Sequence, residues 1–460
     1  MPLQREKSVI ILGLLLRWQS YFFTYSSVLK KKISVAEQQN FLKEILMQID
    51  SNFLHRGLKY YYGYDSFRPG QEKIITEILE GRPVLGVLPT GAGKSICFQL
   101  PSLMLKGVTL VVSPLISLMK DQAENLRKRG IAASYLESGM KPADYGKVLH
   151  EALEGRCKFL YVSPERLSNP QFLDFAQKVG ITLLAVDEAH CVSQWGHSFR
   201  RDYYNIAWFR KQLPHKPLLA AFTATATPQV RQDILQRLEI EQAKIVVTGF
   251  DRPNLRFAVE RSQDKQRSLL TYLEKHRDQC GVIYCSTRGR VEQVTELLQS
   301  HGYGALRYHA GLTSAERRTN QQAFVEGQVQ LIVATNAFGM GIDKADVRFV
   351  VHFNMPKDLE SYYQEAGRAG RDGLPGECLL LFDENDVSIN NYLIESSDSE
   401  MSWKAHEKEL LQKMQAYCNT DRCLRSYLLN YFGEQRREDC GCCSSCAKHQ
   451  KSFWTKLLHR

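Results

Sequence analysis

The chain has 460 residues, room for roughly three domains of about 150 residues each, and its 43% hydrophobic and 24% charged content is that of an ordinary multidomain globular protein. An excess of 60 Lys and Arg over 50 Asp and Glu leaves a net charge of +10, which favours a polyanionic partner without singling out nucleic acid. Of the 12 cysteines, half are scattered from Cys97 to Cys378 and half crowd between Cys418 and Cys446; this spacing argues against a secreted disulfide framework and for a reducing compartment with one metal site.

Residues 1–50 read as an N-terminal extension of unassigned role. Arg5 and Lys7 precede an apolar run from Val9 to Leu16 that loosely resembles the start of a signal peptide. The run is shorter than the roughly 20 residues of a spanning helix, Arg17 interrupts it, and no small-residue cleavage site clearly follows. A buried helix or a start codon placed too far upstream also fits, and no membrane partner is expected.

From 51 to 249, short β-rich apolar runs alternate with helical stretches: Val84 to Leu88, Thr109 to Ser113, Phe159 to Ser163, Ile181 to Val186 and Leu218 to Thr223. This pattern predicts a parallel sheet wrapped by helices. Residues 250–383 repeat it, with runs at Val282 to Cys285, Ala305 to Tyr308, Leu331 to Ala334, Phe349 to Phe353 and Cys378 to Phe382. The turn residues from Gly249 to Asn254 mark the linker between the two α/β lobes. Beyond Phe382 the strands stop. Residues 384–446, with a helix from Trp403 to Tyr417, form a third, small module that ends in the cysteine cluster, and 447–460 are a tail.

In the first lobe, Thr90-Gly91-Ala92-Gly93-Lys94-Ser95 follows a strand and opens a helix. Glycines there let backbone N–H groups cradle phosphate oxygens, Lys94 reaches the β and γ phosphates of ATP, and Ser95 can ligate Mg2+. Leu88 stands where the strict phosphate-loop pattern has glycine. Asp187-Glu188-Ala189-His190 ends the Ile181 to Val186 run, at the carboxyl end of a predicted parallel strand, where such sheets bind ligands. Asp187 can hold magnesium, and Glu188 can orient and deprotonate the water that attacks the γ-phosphate; His190 completes the set.

The order of phosphate loop, Asp-Glu-Ala-His and Thr223-Ala224-Thr225 resembles the superfamily 2 helicases. The segment Cys191-Val192-Ser193-Gln194-Trp195-Gly196-His197-Ser198-Phe199-Arg200 resembles the aromatic-rich loop of the RecQ DNA helicases. Trp195 and Phe199 are stacking surfaces, each worth about 1–3 kcal/mol per base. Arg200 and Arg201 can meet phosphates or rings, and His197 can report DNA occupancy to the ATP site. The family usually has Asp at Ser198 and Pro at Arg201, which leaves the fine contacts open. Tyr62 to Gln71 resembles the RecQ entry motif, which implies that Gln71 reads the adenine edge with help from Arg68 and that Tyr64 stacks on the base. Ser113-Pro114-Leu115 and Ser163-Pro164-Glu165-Arg166 resemble elements that bind the DNA backbone.

In the second lobe, Arg368 and Arg371 are three apart and would share a face if helical; by resemblance to the sixth motif they are arginine fingers for the transferring phosphate. The run from Ala334 to Lys344 resembles the fifth motif, with Thr335 toward DNA and Asp343 on the ribose. Cys285 to Arg288 and His309 to Leu312 complete the series. The resemblance covers about residues 55 to 383 and implies two RecA-like parallel-sheet lobes in tandem, followed by a helical zinc-binding module.

Two overlapping Cys-x-x-Cys spacings plus a distant cysteine suit tetrahedral Zn2+, with an iron–sulfur cluster or free redox thiols as the competing readings. The family's zinc segment begins with a cysteine on a helix and ends with three at this spacing, which implies Cys423, Cys440, Cys443 and Cys446 as ligands. Fourteen residues follow Cys446, so the winged-helix and helical DNA-binding domains frequent in the family are not expected. The resemblance thus implies an ATP-dependent 3′ to 5′ DNA helicase of recombination and repair, acting as a cytoplasmic monomer on single-stranded and on tailed or branched duplex DNA, with a single-strand-binding protein as a possible partner. The alternative is an ATP-driven single-strand translocase or annealing factor with little unwinding of its own.

Overall fold

The computed structural model describes residues 51–449 apart from 138, 197, 340–343, 398–399 and 437. The chain divides into two compact units, residues 1–66 and 67–460. The described part of the first contains the helix Ser51–Tyr62 and a Lys59–Asp65 ion pair of 2.5 Å; Tyr64 is an exposed residue of this unit. The extension 1–50 lies outside the described residues.

The second unit holds two sheets, each wholly parallel. The first is built from β1 (Val84–Val87), β2 (Val108–Val112), β3 (Ala133–Leu136), β4 (Phe159–Val162), β5 (Ile181–Val186), β6 (Leu218–Thr223) and β7 (Lys244–Val247), in the order β3-β4-β2-β5-β6-β1-β7. The second contains β8 (Leu255–Arg261), β9 (Gly281–Tyr284), β10 (Ala305–Tyr308), β11 (Leu331–Ala334), β12 (Phe349–His352) and β13 (Gly376–Phe382), in the order β10-β11-β9-β12-β13-β8. Helices cover both faces, so the inner strands are continuous apolar runs: every residue of β1, β2 and β4 is buried. In the second lobe the side chains alternate between two cores, as the two-residue period of a strand requires. Val282, Tyr284, Ile332 and Val350 enter one, and Ile283, Val333 and Val351 the other.

Register decides where the chemistry can gather. Val84 of β1 stands opposite Ala220 of β6, and Leu183 of β5 stands opposite Leu218 of β6. The carboxyl ends of β1, β5 and β6 are therefore neighbours, and the loops that follow them meet at one edge of the first lobe.

After β13 come the helices Glu384–Glu395, Met401–Asn419 and Leu424–Tyr431. Their apolar faces split between the lobes: Leu411, Met414, Tyr417, Leu424 and Leu428 join a core of the second lobe, whereas Leu429 and Phe432 join the core of the first. This module also covers β8, an edge strand whose unpaired backbone would otherwise be open. The Val259 N–H donates to Ser444 Oγ at 3.1 Å and Arg256 Nε donates to the Cys442 carbonyl at 3.2 Å. No described helix is long and apolar enough to cross a membrane.

Candidate active site and metal centre

The turn after β1 forms a phosphate cradle. Gly91 and Gly93 have φ of 81° and 79°, a left-handed conformation that costs a side chain roughly 1–3 kcal/mol. Gly93 is the N-cap of the helix Lys94–Ser102 and supplies no side-chain cap, so the first N–H groups of that helix can turn to an anion. Gln71 fastens the cradle from below. Its Nε2 donates to the carbonyls of Ala92 at 2.9 Å and Gly93 at 3.1 Å, and its Oε1 accepts from the Arg68 N–H at 2.9 Å. Arg68 Nη1 donates to the Gly91 carbonyl. Both residues expected at the base thus hold the loop, and adenine recognition by Gln71 requires it to exchange one of these bonds.

Asp187 and Glu188 follow β5 at the same edge. The Asp187 N–H is fixed by the Val112 carbonyl at 2.9 Å, and Tyr203 donates its hydroxyl to the Asp187 carbonyl at 3.0 Å. Glu188 occupies left-handed backbone at φ 46°, which non-glycine residues rarely adopt, and its buried Oε2 has no hydrogen-bond partner. Burial pushes the Glu188 carboxyl up to about 7, with Lys94 and Arg368 opposing the shift and Asp187 adding to it. Burial raises Asp187 as well, against Lys94. A carboxyl poised near neutrality suits a general base, and the influence of Lys94 places the phosphate loop within its electrostatic reach.

From Glu188 a line of contacts leads to the second lobe. His190 Nδ1 lies 3.4 Å from Glu188 Oε2 and 2.9 Å from Thr223 Oγ1. Thr223 Oγ1 donates to the Thr225 carbonyl at 3.0 Å, and Thr225 Oγ1 accepts from Gln364 Nε2 at 2.8 Å. Gln364 belongs to the second-lobe helix Leu359–Ala366. The two arginines expected to share a helical face do not lie on a helix. It ends at Ala366, capped by Gly367, and the chain turns again at Gly370, φ 56°. The turn still aims them at the ATP loops. A Cβ at Gly91 would sit 3.2 Å from Arg371 Cγ. Arg368 is 7% exposed, its Nε and Nη1 are buried without hydrogen-bond partners, and its charge is felt at Glu188. A buried guanidinium with free donors beside an open phosphate cradle fits an anionic ligand.

Trp195 is 45% exposed, touches His406 edge-on at 5.5 Å, and its carbonyl lies 3.3 Å from His406 Nε2. Phe199 is packed between Tyr204 at 5.3 Å and Trp403 at 5.5 Å. Arg200 Nη1 donates to the Pro114 carbonyl at 2.9 Å, tying the aromatic loop to the turn that holds Ser113, whose buried hydroxyl has no partner. Thr335 follows β11, with its N–H bonded to the Tyr308 carbonyl at 3.2 Å. His197 and Asp343 lie outside the described residues. No local motif marks Gln364, Trp403 or His406 as site residues, because their partners are brought to them by the tertiary fold.

The four cysteines expected to bind metal converge, with sulfurs all within 4.8 Å of one another. Cys443 Sγ lies 3.3 Å from Cys446 Sγ, which lies 4.0 Å from Cys440 Sγ. A tetrahedral zinc with bonds of about 2.3 Å requires sulfurs roughly 3.8 Å apart, and these distances bracket that value. Backbone N–H groups of Leu424, Cys440 and Cys443 point at sulfurs of Cys443, Cys423 and Cys440 at 3.2–3.4 Å, which suits thiolates. Cys423 caps the helix Leu424–Tyr431 and is not within it. Cys418 is buried apart from the cluster, and Cys442 is exposed beside it.

Three family models match the chain: DEAD/DEAH box helicase over residues 68–234, helicase conserved C-terminal domain over 264–373, and RecQ zinc-binding over 384–447. The ATP-dependent DNA helicase RecQ of Bacillus subtilis (strain 168) is 45% identical over 397 residues, covering 85% of this chain and 67% of that protein. The protein of the same name from Pasteurella multocida (strain Pm70) is 42% identical, covering 85% and 62%; the chain thus spans about two thirds or less of these relatives. Among solved structures, Mss116p bound to ssRNA and AMP-PNP matches with a TM-score of 0.63 at 16% identity, covering 85% of this chain and 91% of that one, a likeness of fold.

Proposed function

The chain belongs to the RecQ family of helicases, and on that premise we propose that it couples ATP hydrolysis to movement along single-stranded DNA and to duplex unwinding. The observation that carries this reading is the line of contacts from Glu188 through His190, Thr223 and Thr225 to Gln364, with the aromatic loop issuing from the same turn. A change at the nucleotide is felt in both lobes, and a change in the loop is felt at the general base.

In this reading the Gly91–Ser95 backbone and Lys94 hold the phosphates, and Arg368 and Arg371 approach the γ-phosphate from the second lobe. Glu188 takes the proton of the attacking water, and its burial keeps bulk solvent from competing. Mg2+, held by Ser95 and Asp187, would neutralise phosphate charge. Asp343 serves the ribose. Trp195, His197, Phe199, Arg200, Ser113 and Thr335 line the DNA path, and Zn2+ is held by the four cysteines. Polarity is 3′ to 5′, the chain works as a monomer associated with chromosomal DNA, and a single-strand-binding protein is a suitable partner; these four points rest on family membership.

The test is strand displacement on a duplex with a 3′ single-stranded tail, with Glu188→Gln as control. ATP-dependent displacement by the unsubstituted chain, lost in the variant, is expected. DNA-stimulated hydrolysis without displacement would support a translocase in its place.

A further inference from the structure

Arg252 lies in the linker between the lobes, and its guanidinium makes hydrogen bonds with four carbonyl groups. Nη1 donates to Thr90 at 3.5 Å and to Gly367 at 3.3 Å; Nη2 donates to Ala369 at 3.1 Å and to Gly370 at 2.9 Å. Thr90 opens the phosphate loop, and 367–370 is the turn that carries Arg368 and leads to Arg371. One planar fork therefore gathers both halves of the ATP site. Among the described residues Arg252 has no ion-pair partner. Carbonyl acceptors alone make the arrangement directional, and an ammonium on a flexible stem cannot reproduce a planar fork whose two terminal nitrogens each meet two carbonyls.

The backbone around Arg252 is held by the metal module. Arg425 Nη1 donates to the Arg252 carbonyl at 2.6 Å and pairs with Asp251 at 2.5 Å, Arg436 takes the other Asp251 oxygen at 2.6 Å, and Arg425 Nη2 donates to the Leu255 carbonyl. The Phe250 N–H donates to Glu434 Oε2 at 2.6 Å, and the Phe250 ring stacks on Phe432 with centroids 4.6 Å apart and planes at 13°. From the first lobe Arg231 Nη2 reaches the Phe432 carbonyl at 2.8 Å. Arg425 sits two residues beyond Cys423, on the helix capped by that ligand, and the intervening Leu424 N–H points at Cys443 Sγ.

We infer that Arg252 is a positioning residue for ATP hydrolysis, setting the arginine-bearing turn against the phosphate loop, and that the zinc module fixes it through Arg425. A linker tied by the module at five points is a built lever and not a slack tether. Loss of metal order at Cys423 would release Arg425, then the Asp251–Arg252 backbone, then the turn that presents Arg368 and Arg371. The inference rests on the ATPase part of the reading above and is independent of DNA.

Its test compares Arg252→Lys, Arg425→Lys and the double variant in the full chain, by steady-state ATP hydrolysis and by binding of a non-hydrolysable ATP analogue. For Arg252→Lys, kcat is expected to fall at least about tenfold, while analogue affinity changes less than about threefold, since arginine fingers act on the transition state. Arg425→Lys should lower kcat in the same sense but less, and the double variant should be no slower than Arg252→Lys alone, as for residues acting in one chain. Zinc content should stay at one per chain in all three. Unchanged kcat in Arg252→Lys, equal losses in kcat and analogue affinity, or fully additive losses would overturn the inference. Absence of DNA stimulation in the unsubstituted chain would overturn the DNA reading alone, because the comparison needs only hydrolysis.

Discussion

Glu188, the proposed general base, shows what its position costs. Its backbone is left-handed, its Oε2 makes no hydrogen bond, and burial raises its carboxyl to about 7. Replacement by Gln keeps the shape but not the base, so kcat for ATP should fall by about 100-fold or more, with nucleotide affinity, read by equilibrium binding, little changed. The general base must be deprotonated, so kcat/KM for ATP should rise about tenfold per pH unit below about 7 and level off above it; that ratio reports the free enzyme. The stability sign is opposite. Between the ordinary carboxyl range and about 7 the folded state keeps a proton that the unfolded state has lost, so this group's contribution to stability declines as pH rises through that window. The Tm of Glu188→Gln should lack that component, which a pH series of thermal melts will read. The motif residues are legible in the sequence because each motif is a short contiguous pattern. Gln364 with Thr225, and Arg252 with Thr90, are 139 and 162 residues apart, and no local pattern joins them.

Among the elements, the aromatic loop is the one whose role depends on its surroundings. It begins three residues from Glu188, and Gly196 packs so closely on the His190 carbonyl that a Cβ there would approach to 2.6 Å. Base stacking on Trp195 should therefore reach the catalytic turn. Trp195→Ala should raise the single-stranded DNA concentration for half-maximal ATPase stimulation about tenfold, from the 1–3 kcal/mol of a stacked base, while hydrolysis without DNA stays the same; equal stimulation curves would count against the loop as a DNA sensor. Which strands were legible also has a physical reason. The inner strands are buried on both faces and read as unbroken apolar runs. The strands outside those runs, β3, β7 and β8, all lie at sheet edges. Thus β7 begins at exposed Lys244, and β8 alternates buried Leu255, Phe257 and Val259 with exposed Arg256 and Glu260. The arginine turn differs for another reason: the spacing of Arg368 and Arg371 suits a helix, but the helix ends at Ala366, before Gly367 and Gly370.

At the scale of the whole molecule, the zinc module is a third body packed on both lobes and on the linker joining them. Four thiolates on one ion can contribute on the order of 10 kcal/mol to such a module. Cys440→Ser is expected to lose the single zinc seen by native mass spectrometry, to lower the Tm, and to reduce ATP hydrolysis although Cys440 is not a residue of the nucleotide site. Full zinc occupancy in that variant would remove Cys440 from the ligand set. Whether one machine joins ATP hydrolysis to DNA is read from the rate of ATP hydrolysis with and without single-stranded DNA. That rate should rise at least about tenfold on saturation with DNA and be abolished in both conditions by Glu188→Gln; a rate that DNA leaves unchanged would refute the coupling.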